Sequence, residues 1–272
     1  MVFHSLSANC YQWQEKQPNV KEESLTDWLL YAISQSTDRF YYNEFTRNEE
    51  SAVGADWEWW VLTDGSHGLR AYRFLVQAKK LKKGKDNYPL IAYSNRNGLQ
   101  IDMLIDSAKR RSAMPVYMYY SVSEPEIAAQ IRNLYPLSSE IITWCEDCTN
   151  GACLSMAHTV KHRAFDAPRG VISEQSLLND SIKLSLLDLL LDGQHSAEKI
   201  LDALNSYFIK NHGEDYFSNA GIKHIGNSIP GYLHALIDAN KRKIHLDWFE
   251  DEFKHEFEGL GGVAVLDLRE DC

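Results

Sequence analysis

The chain has 272 residues, of which 44% are hydrophobic and 24% are charged. These proportions are typical of a globular protein and exclude a disordered chain or a fibre. No apolar run approaches the roughly 18 residues of a membrane span, and the first residues lack the pattern of a secretory signal. Five cysteines, an odd number, argue against a secreted disulfide framework. We therefore expect a cytoplasmic protein without a membrane partner.

The net charge of −10 is distributed unevenly along the chain. Residues 1–120 carry 15 basic and 14 acidic side chains, whereas the remainder carries 13 basic and 24 acidic ones. Phosphate affinity comes from clustered cations rather than from total charge, and a charge run alone is ordinarily a solvated surface. Two basic clusters lie in the first half, one of Lys79, Lys80, Lys82, Lys83 and Lys85, the other of Lys109, Arg110 and Arg111.

The first half of the chain shows alternating helix and strand patterns. Leu25, Trp28, Leu29, Ala32 and Ile33 recur at helical spacing and predict a helix over residues 22–35. The later patterns predict a strand over 40–47, a hairpin of strands 54–62 and 69–81, a loop over 82–89, an amphipathic helix over 99–111, a buried strand over 114–122 and another strand over 151–161.

The second half has a different character. The patterns predict helices within 173–209, one of them capped by Ser196, acidic helices within 230–256, and a terminal strand over 261–268. Pro168 and Gly170 mark a boundary. We predict a mixed α/β core over residues 1–165, a small sheet flanked by helices, and a mainly helical acidic region over 166–272 with a regulatory, oligomerising or partner-binding role.

Polar residues stand where a core would favour apolar ones. Asp56 opens one strand of the hairpin, and Gln77 and Lys79 close the other. Glu23 lies on the first predicted helix and Gln100 begins the next. Residues on neighbouring strands can converge at one end of a sheet, where a carboxylate suits Mg²⁺ and a lysine can orient water or steady a phosphate. Metal, carboxylate and lysine together suit phosphodiester hydrolysis.

This order of residues resembles the PD-(D/E)xK nuclease superfamily over residues 22–120. The resemblance implies a restriction-endonuclease-like fold in which Glu23 takes the place of the helix glutamate, Asp56 that of the strand aspartate, and Gln77-Ala78-Lys79 that of the acid-x-lysine motif. Gln100 matches a glutamine of RecB-like and Mrr-like nucleases. The segments GADWEWW, FLVQAKKL and QIDMLI look like those of a poorly characterised bacterial group in this superfamily that is suspected of acting in phage defence.

The resemblance implies a Mg²⁺-dependent endonuclease, with Mn²⁺ as an alternative cofactor and DNA as the favoured substrate. In this interpretation Lys79 orients the attacking water and Gln100 positions water or phosphate. The implied metal ligands are Glu23, Asp56 and Gln77, and we add Glu58 because it shares the strand face of Asp56. From the lysine cluster we predict that Lys80, Lys82, Lys83 and Lys85 contact the nucleic-acid backbone.

One departure from the family pattern leaves an alternative open. Gln77 stands where the family has an acid, and a neutral amide oxygen holds a metal less strongly than a carboxylate does. Glu58 or Glu23 could supply the missing charge. If neither reaches the site, the protein is a nuclease-fold module that binds nucleic acid or a protein without cutting. Taken singly, Asp56 and Glu58 could also form the solvent face of an ordinary amphipathic strand.

Two further patterns have both a functional and a structural interpretation. Cys145 and Cys148 have metal-ligand spacing, and Cys153 with His158 or His162 could complete a structural zinc site, but buried free thiols are the more ordinary interpretation. Trp60 shares the strand face of Asp56 and is a candidate for stacking on bases, whereas its neighbours Trp57 and Trp59 point to the other face.

Overall fold

The computed structural model of the chain describes residues 1–45, 53–81, 93–96, 98–121, 151–166, 177, 181–193, 196–202 and 229–270. Within those ranges the helices are α1 (Val2–Lys16), α2 (Glu22–Ser36), α3 (Gln100–Arg111), α4 (Ala157–Lys161), α5 (Asp188–Leu191), α6 (Gly231–Lys241) and α7 (Phe249–Glu252). The strands are β1 (Phe40–Glu44), β2 (Trp57–Gly65), β3 (Gly68–Lys80), β4 (Ser94–Asn95), β5 (Gly98–Leu99), β6 (Met114–Tyr120), β7 (Ala152–Met156), β8 (Ile182–Lys183) and β9 (Gly262–Asp267).

Seven of the described strands form one mixed sheet in the order β1–β9–β2–β3–β6–β7–β8, which confirms the predicted α/β class. β2 and β3 form the predicted hairpin, with Gly65 opposite Gly68 at its turn. β6 runs parallel to β3, and β9 runs parallel to β2. The predicted terminal strand is therefore a central member of the sheet, and strands from both sides of the predicted boundary at residues 165–166 share that sheet.

The two faces of the sheet are covered by different helices. Gln100 of α3 contacts Gln77 of β3, so α3 covers the face to which the odd-numbered residues of β3 point. Tyr120, which pairs with Lys80 in the sheet, donates a 2.9 Å hydrogen bond to Thr26 of α2, so α2 covers the opposite face. We call these the α3 face and the α2 face. Asp56, Glu58, Trp60, Arg73, Gln77 and Lys79 all belong to the α3 face.

The helices around the sheet confirm most of the predicted elements. Leu25, Leu29 and Ile33 of α2 are fully buried, and every residue of β6 is buried. Ser196 caps the predicted helix after it, because its Oγ accepts the N–H of Lys199 at 3.4 Å. The predicted acidic helices correspond to α6 and α7. The predicted loop over 82–89 lies outside the described residues, as do 173–176, 178–180, 194–195 and 203–209 of the predicted helical region. Within that region Ile182–Lys183 form β8 rather than helix.

The sequence patterns did not indicate α1, and a distant residue anchors it. The carboxylate of Asp188 accepts the N–H groups of Phe3 and His4 at 2.8 and 2.7 Å. A carboxylate at this position satisfies unpaired helix donors and interacts favourably with the helix dipole.

Among the described helices, none combines the length and the hydropathy that a membrane-spanning segment requires.

A buried ion pair joins the middle of the sheet to α6. Glu58 is fully buried, and its carboxylate accepts a hydrogen bond from Nε of Arg73 and lies 3.3 Å from the hydroxyl of Tyr232. Arg73 also donates to the carbonyl oxygen of Arg111 at the end of α3, at 2.8 Å. Burial raises the pKa of Glu58, and the charge of Arg73 offsets part of that effect. The pair therefore links the sheet, α3 and α6.

We expect the Arg73→Met substitution to destabilise the protein by about 3–5 kcal/mol, because it leaves the Glu58 carboxylate buried without its cation. The double variant Glu58→Gln/Arg73→Met should be less destabilised than Arg73→Met alone. The free energy of unfolding, measured in denaturant at pH 7, checks both values. Additive effects of the two substitutions would show that the pair is not coupled.

Candidate active site

Asp56 lies where β2 begins and reaches across to the end of β3. Its main-chain N–H donates to the carbonyl oxygen of Val76 at 2.8 Å. Its carboxylate Oδ2 accepts the N–H of Ala78 at 2.9 Å and the side-chain amide of Gln77 at 2.5 Å. The hairpin therefore brings Asp56 and Gln77 together at one end of the sheet, on the α3 face.

A glycine holds the segment before β2 against α3. Gly54 has a φ of +74°, in the left-handed region that favours glycine. A Cβ at this position would lie 2.5 Å from the carbonyl oxygen of Gln100 and 2.6 Å from the nitrogen of Leu104. This close approach brings the start of α3 to the end of the hairpin, where Nε2 of Gln100 donates to Oε1 of Gln77 at 2.7 Å.

Lys79 and Glu22 complete the group of polar side chains at this end of the sheet. Nζ of Lys79 lies 3.8 Å from Oε1 of Glu22, and the main-chain N–H of Lys80 donates to Oε2 of the same carboxylate at 2.6 Å. Burial raises the pKa of Glu22 to about 7, and the negative charge of Asp56 adds to the effect, while Lys79 and the Lys80 N–H oppose it. Asp56 and Lys79 are thus both within electrostatic range of one carboxylate.

Three residues that we predicted for this site are placed differently. Glu23 is exposed, and its neighbour Glu22 is the helix acid that reaches Lys79. Glu58 is enclosed by its ion pair with Arg73, so it does not supply the charge that Gln77 lacks. Trp60 is 3% exposed and lies beneath the guanidinium of Arg73, so its ring is covered rather than open to a base.

A sequence signal for Glu22 did exist. Glu22 precedes Leu25 by three residues and Leu29 by seven, so it continues the buried stripe of α2. A carboxylate in line with buried leucines at the start of a helix is the pattern that distinguishes it from Glu23.

The predicted phosphate-binding lysines are only partly described. The ammonium of Lys80 donates to the carbonyl oxygens of Pro18 and Val20, at 2.5 and 2.8 Å, and so fastens the connection between α1 and α2. Lys82, Lys83 and Lys85 lie outside the described residues.

Tyr117 is a residue of the site that the sequence did not indicate. It pairs with Gln77 in the sheet, and its buried hydroxyl makes no hydrogen bond within the described part of the chain. Burial raises its pKa, and the nearby charges of Asp56, Asp102 and Glu22 add to that rise. The hydroxyl is therefore a neutral donor close to the carboxylates.

The residues predicted for zinc are not brought together by what the structure describes. Cys153 is buried in β7, and burial raises its pKa to about 11, so its thiol is protonated at neutral pH. His158 lies in α4, where burial and the charge of Lys161 lower its pKa to about 4. Cys145 and Cys148 lie outside the described residues. Across the described ranges, no group of three or more His, Cys, Asp or Glu side chains could hold a metal ion.

The candidate donors for a hard cation are therefore two carboxylates and an amide. Asp56 and Glu22 suit an oxygen-liganded cation such as Mg²⁺, because its charge would offset their mutual repulsion. Gln77 presents its nitrogen, not its oxygen, to Asp56. If the side-chain amides of Gln77 and Gln100 both rotated by half a turn, Oε1 of Gln77 would face Asp56 instead of Nε2. Nε2 of Gln77 could then donate to Oε1 of Gln100, an atom that has no hydrogen-bond partner among the described residues.

The fold and this site define a mixed α/β protein with paired carboxylates and a lysine at one end of a hairpin. Residues 1–255 match the model of a family described as Family of unknown function (DUF6615), and the chain belongs to that family. Comparisons with curated proteins and with solved structures gave no significant match. The family match extends across both predicted regions of the chain.

We expect the contribution of Glu22 to the free energy of unfolding to decrease as the pH rises. Its folded pKa of about 7 exceeds its ordinary value of 4.5, so the stability that it contributes is present below pH 4.5 and lost as the pH rises through 7. Relative to wild type, Glu22→Gln should gain about 2–3 kcal/mol between pH 5 and pH 8. Denaturant unfolding across that range measures the difference.

The adjacent substitution Glu23→Gln is the matched control, since Glu23 is an exposed acid on the same turn. A pH profile of Glu22→Gln that runs parallel to that of wild type would contradict the assignment.

Proposed function

We propose that this protein is a metal-dependent nuclease that hydrolyses phosphodiester bonds, with DNA as the favoured substrate. The observation that carries the proposal is the convergence of Asp56, Gln77 and Lys79 on the α3 face, with Glu22 within ion-pair range of Lys79. The resemblance to PD-(D/E)xK nucleases supports it, since that pattern places an acid, an acid-x-lysine and a helix glutamate together.

Asp56 and Glu22 are the residues that would hold Mg²⁺ or Mn²⁺, joined by the oxygen of Gln77 after its amide has rotated. A bound divalent cation would supply charge stabilisation for phosphoryl oxygens and lower the pKa of a water molecule. Without a metal the pKa of Glu22 is about 7, so binding of the cation would release a proton from Glu22 near neutral pH.

Lys79 is suited to orienting water or stabilising phosphate charge. Its side chain is only 12% exposed, so its charge acts in a partly dehydrated environment where electrostatic interactions are stronger than in water. The 3.8 Å separation from Glu22 is longer than a direct hydrogen bond, so the ammonium is not locked to that carboxylate. The Tyr117 hydroxyl could donate a further hydrogen bond to the site.

The same proposal includes the lysines that contact nucleic acid, the role of the second half of the chain and the location of the protein. Lys82, Lys83 and Lys85 would hold the nucleic-acid backbone, and binding should therefore weaken as salt rises. The acidic second half would regulate the enzyme or mediate contact with another subunit or protein. We place the protein in the cytoplasm, where a role in phage defence fits the resemblance of its segments to those of the bacterial group.

A second candidate function is binding of nucleic acid or protein without catalysis. The hydrogen bond from the Gln77 amide to Asp56 favours it, because this arrangement satisfies the aspartate without a cation. The experiments below separate the two functions.

We expect cleavage of plasmid, linear DNA or RNA in the presence of Mg²⁺ or Mn²⁺. Asp56→Asn, Lys79→Met and Glu22→Gln should each lower the rate by about 100-fold or more, because each removes a charge at the reacting phosphate or its metal. Glu23→Gln, the exposed neighbour, should retain the wild-type rate. Initial rates on a labelled substrate, with folding checked by circular dichroism, give the comparison.

An equal loss in Glu22→Gln and Glu23→Gln would show that the effect is not specific to the site. If the wild type binds nucleic acid tightly but cleaves no substrate at high enzyme concentration, the binding function is favoured.

We expect Gln77→Glu to make the stability of the protein depend on a divalent cation. Without metal, a carboxylate facing Asp56 replaces an amide donor, so repulsion should lower the melting temperature by several degrees. With Mn²⁺ or Mg²⁺ the third carboxylate should tighten binding about tenfold or more relative to wild type. Melting temperatures with and without metal, and calorimetric titration, measure both effects.

Gln14→Glu is the matched control, because Gln14 of α1 is as buried as Gln77, each being 2% exposed. It should lose stability without recovering it on addition of metal. If Gln77→Glu behaves like Gln14→Glu, the carboxylate pair is not a cation site.

A further inference from the structure

A surface cavity of about 550 Å³ lies on the α3 face, at the opposite end of α3 from Gln100. Its walls include Trp60 and Arg73 from the hairpin, Arg110 and Arg111 from the end of α3, and His255 from the segment after α7. The volume falls within the range of small-molecule sites. Three of these five side chains are arginines.

The guanidinium groups of Arg73 and Arg111 are held in place by hydrogen bonds to main-chain carbonyl oxygens and, for Arg73, to the buried carboxylate of Glu58. Arg73 donates to the buried Glu58 and to the carbonyl oxygen of Arg111, the latter at 2.8 Å. Arg111 donates to the carbonyl oxygens of Glu256 and Glu258, at 2.6 and 3.4 Å. These contacts orient both side chains but bring only one carboxylate, that of Glu58, into direct contact with them.

Positive charge is therefore in excess at this cavity. Glu58 offsets Arg73, while no carboxylate in the described part of the chain forms an ion pair with Arg110 or Arg111. Glu256 lines the cavity and accepts a hydrogen bond from Arg111 through its carbonyl oxygen. Burial lowers the pKa of Arg111 and the nearby charge of Arg73 lowers it further, whereas the charges of Glu58 and Glu256 raise it, so three arginines face two carboxylates. A bound anion would relieve this repulsion.

We propose that this cavity binds the phosphate group of a ligand, with Arg110 and Arg111 as the principal contacts. Planar guanidinium groups bind phosphate oxygens in pairs and are weakly hydrated, which makes arginine well suited to this group. The inference is independent of the hydrolytic activity, because none of these residues belongs to the candidate active site.

Two sources of the phosphate are consistent with this chemistry, a free nucleotide and the backbone of a bound nucleic acid. α3 has 12 residues, so Arg111 lies about 16 Å along the helix from Gln100 at a rise of about 1.5 Å per residue. A strand that occupied both places would have to extend over about five nucleotides at about 3.4 Å each. A mononucleotide is too short to occupy both places at once, so dependence of its binding on Arg110 reports on the cavity.

Calorimetric titration of the full-length protein with inorganic phosphate, AMP and a 12-nucleotide DNA tests the proposal. Arg110→Gln and Arg111→Gln should each weaken binding at least tenfold. Lys109→Gln removes the same charge from the same helical turn but does not line the cavity, so it should change binding less than twofold. Arg110 is exposed, and its side chain hydrogen-bonds Ser107 on the same helix, so its substitution should preserve the fold even if that of Arg111 does not.

Binding of phosphate and AMP that depends on Arg110 assigns the cavity to a free phosphorylated ligand. Binding of the oligonucleotide alone, with the same dependence, assigns it to the nucleic-acid backbone. The proposal is overturned if none of the three probes binds at millimolar concentration, or if Lys109→Gln weakens binding as much as Arg110→Gln does.

Discussion

The geometry of the candidate site depends on the register of the β2–β3 hairpin. Because Trp57 lies opposite Val76, the next position places Asp56 beside Gln77, and the Asp56 carboxylate can accept the N–H of Ala78. A slip of one residue would turn these side chains to the other face of the sheet. The indole of Trp57 also fixes the pairing of β2 with β9, because it occupies the space above Gly262, where a Cβ would lie 2.1 Å from the ring. The packing that fixes the sheet therefore also fixes the site.

Gln77 affects both the stability of the site and the affinity for the cation that we propose, and it affects them in opposite directions. As an amide it can donate to Asp56, so the carboxylate is satisfied in the protein alone. An acid at the same position would repel Asp56 but would hold a divalent cation more strongly. Glu22 shifts the balance in the same direction, because burial keeps it partly protonated near neutral pH. Both features favour a site that is stable without metal and that would bind the cation we propose with moderate affinity.

The acidic second half of the chain completes the same structural unit. β9 lies between β1 and β2, and Tyr232 of α6 contacts the buried Glu58. Main-chain carbonyl groups after α7 accept hydrogen bonds from Arg111 at the end of α3. Since α3 also carries Gln100 at its other end, one helix contacts both the candidate active site and the arginine-lined cavity. The region that we expected to regulate the protein thus forms part of its sheet and of that cavity.

The sequence alone determined the local elements, namely α2, the β2–β3 hairpin, α3, β6 and β9, because hydrophobic periodicity and turn residues are local signals. It also indicated the order of Asp56, Gln77, Lys79 and Gln100. The position of Glu22 in the buried stripe of α2 was a signal in the sequence, but only the tertiary structure decided that this acid reaches Lys79, because the contact joins residues far apart in the chain. It likewise decided that Glu58 pairs with Arg73, that Trp60 is covered, and that β9 is central, because these depend on contacts between residues far apart in the chain.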